Sequence, residues 1–81
     1  MTKTYTKWVS STVYDAIRPT CRAQLEILVS EGKTDGTFTR EDVEDSVVIC
    51  RTWNSDENAQ DWKTFLNNLP TPPVSVVIET A

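Results

Sequence analysis

The sequence predicts an α+β domain in the order β-α-β-β-α-β, a split β-α-β sandwich of four antiparallel strands with two helices on one face. Three observations lead there. Two segments, 10–32 and 54–69, space apolar residues by three and four, the period of a helix with one buried side. Four shorter segments, 4–9, 37–41, 46–53 and 74–79, hold β-branched and aromatic residues, which suit a pleated surface. Gly32 closes the first helical segment, and Gly36, Pro70, Pro72 and Pro73 fall between segments, where turn-formers belong. The chain has 81 residues, too few to fill two cores, so 1–81 reads as one domain.

The first strand is "TYTKWV" (4–9), with Lys7 marking a partly exposed face. The first helix spans 10–32. Thr12 followed by Asp15 resembles a capping box. Val13, Ile17, Cys21, Leu25 and Leu28 form its stripe, widened by Ala16, Ile27 and Val29. Gly32 stops it. Pro19 should kink it, because an interior proline removes a hydrogen bond and clashes one turn back. Alternatively the helix begins near Pro19. "KTDGTF" (33–38) carries an Asp-Gly turn, a short strand follows at 37–41, and "EDVED" (41–45) turns the chain. A helix over 39–46 capped by Thr39 is the competing reading. "SVVICRTW" (46–53) is the clearest strand, its continuous apolar run suiting burial on both faces.

The second helix is announced by its cap. Asn54 or Ser55 accepts from free amides, and Asp56 and Glu57 meet the positive end of the helix dipole. Ala59, Trp62, Phe65, Leu66 and Leu69 give the stripe, and the three prolines end it. "VSVVIE" (74–79) closes the sheet.

Charge and composition exclude several functions. The net charge is −4 and the eight basic residues are scattered, which disfavours nucleic-acid binding. No apolar run approaches a membrane span, and the N-terminus lacks a signal-peptide core. Two distant cysteines suit a reduced, cytoplasmic setting, although a Cys21–Cys50 bridge stays open. There is no histidine. The two thiols alone cannot complete a four-ligand zinc site, and neither has a histidine base for nucleophilic work. Glu41, Asp42, Glu44 and Asp45 lack the calcium-loop spacing and read as a solvated turn. No metal, cofactor or catalytic residue is therefore assigned. The expected pocket is aromatic: Trp8 and Trp53 on adjacent strands, with Tyr14, Arg51 or Asn54 as polar handles. Core or dimer packing is nevertheless the favoured role for these aromatics, and the pocket is the alternative.

Two helices cover one sheet face, yet both alternations carry apolar residues. Val47, Ile49 and Trp53 oppose Val48 and Cys50, and Val74, Val76 and Ile78 oppose Val77. An apolar second face predicts a partner, most simply a second copy about a two-fold axis. The element order and the segment "VVICRTWNSDENAQDWKTFLNN" resemble the dimeric α+β barrel superfamily, which is ferredoxin-like in fold and includes small antibiotic-biosynthesis-type monooxygenases. The same segment resembles short bacteriophage proteins of unknown function. Both resemblances cover chiefly 46–80. With the apolar second face, the expectation is a homodimer acting as a protein-interaction or assembly module without enzymatic activity. The alternative that the resemblances imply is a cofactor-less monooxygenase-like or small-ligand-binding barrel.

Overall fold

A computed structural model describes residues 1–80. The elements run β1 (Thr2–Trp8), α1 (Ser11–Ser30), β2 (Phe38–Val43), β3 (Ser46–Trp53), α2 (Asp56–Asn67) and β4 (Ser75–Glu79). The sheet has the order β2-β3-β1-β4, and every neighbouring pair is antiparallel. This is the α+β sandwich that the alternating patterns predict.

Burial along the strands shows which face the helices cover. On β3, Val47, Ile49, Arg51 and Trp53 are buried while the residues between them are half-buried. On β1, Thr2, Thr4, Thr6 and Trp8 are buried while Lys3 and Lys7 are exposed. Small threonines on the central strand leave room for large indoles above them. Trp53 packs against Trp62 at 5.5 Å between ring centroids, and Trp62 stacks on Phe65 at 5.3 Å. Leu66, Ala59 and Val76 belong to the same core.

α1 contributes Tyr14, Cys21, Leu25 and Leu28 to the core. Val13 and Ile17 pack only partly against it. Ala16 lies outside, and Ile27 and Val29 are 52% and 43% exposed, so the apolar stripe is narrower than the pattern predicts. The start differs too. Ser10, not Thr12, caps the helix, its Oγ accepting from the Val13 amide at 3.2 Å. α1 runs unbroken through Pro19, which corrects the reading of a helix that begins there. Pro19 and Asp15, one turn before it, are both exposed, so water can serve the carbonyl that proline leaves unpaired. Gly32 (φ 75°) ends the helix: its amide reaches Val29 O and the Lys33 amide reaches Leu28 O, both at 3.0 Å. That pair of bonds is a Schellman motif, whose left-handed residue favours glycine.

β2 extends further than 37–41, and the alternative helix over 39–46 is not formed. The reversal is confined to Glu44 and Asp45, between the paired residues Val43 and Ser46, with Glu44 at φ 57°. Pairing with β3 recruits Glu41 and Asp42 into the ladder despite their low strand preference. For α2, Ser55 is the cap rather than Asn54, accepting from the Asn58 amide at 3.2 Å.

Candidate functional site

β2 is an edge strand that α1 does not cover. Phe38 pairs with Arg51, and Arg40 with Ile49, so both stand on the helix side of the sheet. Phe38 and Arg40 nevertheless remain exposed. The space between α1 and β2 is a groove of about 470 Å³, within the ~300–1,000 Å³ range of small-molecule clefts. Leu25 and Val29 of α1 wall it on one side and Phe38 on the other, with Tyr14, Cys21 and Arg51 also lining it. Gly36 shapes its mouth. That residue adopts φ 83°, and a Cβ there would meet Val29 Cγ2 at 3.2 Å.

Arg51 is the unusual group. It occupies an inward position of β3, in a row otherwise held by Val47, Ile49 and Trp53, and is 8% exposed. Its guanidinium carbon lies 4.6 Å from the Phe38 ring centroid and 5.8 Å from that of Trp62. Among the described residues it has no carboxylate partner. Arg22 pairs with Glu26 at 3.6 Å and Arg40 with Asp42 at 2.9 Å. Burial pulls the Arg51 pKa down, opposed by the neighbouring Tyr14 and Cys21. Burial likewise pushes the Cys21 thiol up, opposed by Arg51. The thiol is thus held in its protonated, unreactive form. Beneath the groove a void of about 10 Å³ touches Tyr14, Cys21, Arg51 and Trp62. Trp62 Nε1 is fully buried and has no acceptor among the described residues.

The five residues singled out in the sequence separate in space. Tyr14 and Arg51 line the groove, and Trp8 lines the void with them. Trp8 packs on Tyr14 at 6.1 Å. Trp53 lies at the far end of the β1–β3 pair: Trp8 is opposite Val47, whereas Trp53 is opposite Thr2. Six residues of extended chain separate these positions, roughly 20 Å. Trp53 is 0% exposed, and its Nε1 donates to Thr4 Oγ1 at 2.9 Å. Asn54 is a clamp. Its backbone amide donates to Lys33 O at 3.2 Å and its side-chain amide donates to Gly32 O. The groove adds Cys21, Leu25 and Phe38, which the sequence patterns place in the core or a turn, and Arg18, which no pattern singles out. One signal was present: alternation along 46–53 puts Arg51 on the same side as Val47 and Ile49.

Among the described residues no cluster of three metal-ligating side chains occurs, and no helix is long and apolar enough to cross a membrane. Compared with protein-family models, curated proteins and solved structures, the chain shows no significant match.

Proposed function

We propose that this chain is a non-catalytic binding domain whose α1–β2 groove takes a small, largely apolar ligand. The observation that carries the reading is an open, ligand-sized groove beside an uncovered edge strand. Its chemistry is that of recognition: apolar walls, a phenol, a thiol kept protonated and one buried cation. The test is an amide chemical-shift titration with ten-carbon amphiphiles. Shifts should concentrate at Leu25, Val29, Gly36 and Phe38. Val29 is exposed at the groove wall, so Val29→Trp should fill the groove and abolish the shifts while leaving the unfolding midpoint nearly unchanged. Shifts scattered over the opposite sheet face would sink the reading.

A second reading is association through the uncovered sheet face, as the shared element order of dimeric α+β barrels suggests. The supporting observation is a row across all four strands, Thr39–Cys50–Tyr5–Val77, in which Val77 is 56% exposed. Val48 lies beside the row, and Lys3, Lys7, Glu41 and Glu79 flank it. Light scattering across concentration tests it. A mass near that of two chains, reduced to one by Val77→Asp, supports a homodimeric module, and a strict monomer removes it.

A further inference from the structure

We propose that the groove selects ligands with a carboxylate head, received by Arg51, and an apolar tail laid along Leu25, Val29 and Phe38. The inference rests on the groove reading above and specifies its ligand class.

Three features converge on a carboxylate. The first is the cost of Arg51 as it stands. A guanidinium cannot shed its charge at neutral pH, and taking it out of water without a counter-ion is unfavourable. Phe38 and Trp62 attract the cation through their ring faces. A ring offers no acceptor oxygen, however, and the guanidinium has five N–H donors. No side chain or carbonyl among the described residues accepts from Arg51. Trp62 Nε1 is the sole fully buried side-chain polar atom there without a partner. The Arg51 donors therefore still reach accessible space, and Arg51 lines the groove.

The second feature is charge. Three arginines (Arg18, Arg22 and Arg51) line the groove against one carboxylate, Glu26. Glu26 pairs with Arg22, which leaves Arg18 at the rim and Arg51 at the base without a carboxylate partner among the described residues. This local excess of positive charge sits in a chain whose net charge is −4, so the arginines are not a sample of a generally basic surface. The third feature is the remaining wall. Leu25, Val29 and Phe38 are apolar, so a bare inorganic anion would leave most of the groove unfilled. A planar carboxylate can accept two parallel N–H bonds from one guanidinium, and an aliphatic or aromatic tail would cover the walls.

The experiment compares decanoate, decanol and decyltrimethylammonium on the wild-type chain, by calorimetry and by tryptophan fluorescence. Trp62 reports on the site because its ring lies 5.8 Å from the Arg51 guanidinium carbon. Decanoate should bind at least about tenfold more tightly than decanol, and the ammonium most weakly, with the preference shrinking in high salt. Arg51→Met keeps a long side chain over Phe38 while removing the charge. It should bring decanoate down to the level of decanol without unfolding the chain. Equal affinities for decanoate and decanol on the wild type would overturn the carboxylate pairing and leave the apolar groove standing. Failure of both to bind would overturn the groove reading and this inference with it. Because the ligand series uses the wild type, misfolding of the variant cannot decide the outcome.

Discussion

Trp53 is sealed from solvent, and Thr4 is what makes that tenable. A buried indole N–H without an acceptor costs roughly 1–3 kcal/mol, and Thr4 Oγ1 accepts from it at 2.9 Å. Thr4→Val keeps the shape and removes the acceptor, so it should destabilise the fold by about 1–3 kcal/mol. Thr4→Ser keeps the oxygen and should cost less. Urea unfolding of the two variants checks the order, and the reverse order would show that the methyl packing, not the bond, matters. Cys21 offers a pH test. Burial raises its folded-state pKa above the ordinary value, with Arg51 opposing. Below the unfolded value, about 8.5, both states keep the proton and the buried thiol's contribution is fully present. As pH rises toward the raised folded value, the unfolded chain ionises first and gains. The stability advantage of the wild type over Cys21→Ala should therefore shrink as pH rises above about 8.5. A gap that stays constant in urea titrations at stepped pH would contradict the assignment.

At the scale of elements, α1 carries the clearest conflict between local preference and tertiary demand. Pro19 sits in its ninth position, yet the helix is continuous from Ser11 to Ser30. An interior proline costs ~3 kcal/mol, part of which it recovers by restricting the unfolded chain, about 0.4–1 kcal/mol. Pro19→Ala restores the amide that can donate to Asp15 O, and Pro19 faces solvent. It should stabilise the protein by about 1–2 kcal/mol, read as a higher thermal midpoint. A lower midpoint would mean that the core packing of Cys21 and Leu25 depends on a bend imposed by the proline. The connection from α1 to β2 is held by side chains instead of regular structure. Thr34 Oγ1 donates to Thr52 O at 2.7 Å, and Asn58 Nδ2 donates to Lys33 O at 3.4 Å. These bonds anchor the loop that carries Gly36 to the mouth of the groove.

At the scale of the whole molecule, the sheet separates the two thiols. Cys21 lies beneath α1 on the covered side, and Cys50 stands on the opposite alternation of β3. Both are free, which closes the question of a bridge between them. Cys50, which is half-exposed, should therefore be alkylated first, giving a single adduct by mass spectrometry, while Cys21 reacts only when the fold opens. The same measurement reports on association. If two chains pair through the uncovered face, Cys50 should become protected as protein concentration rises. Labelling at a rate independent of concentration would argue against that pairing.

The sequence by itself determined the order of the elements and where most of them end. Those properties follow from local periodicity, from Gly32 and from the prolines after α2, all of which act within a few residues. β3 was plain because its apolar run is continuous. β2 was only half legible, since "REDV" forms strand through pairing with β3 and not through its own preference. The tertiary structure decided the rest. It chose Ser10 over Thr12 as a cap, set Trp8 and Trp53 at opposite ends of the paired strands, and left β2 uncovered by α1. The inward position of Arg51 could be read from alternation. Its want of a carboxylate partner among the described residues could not, because ion pairing depends on which distant segments converge, and no local pattern encodes that distance.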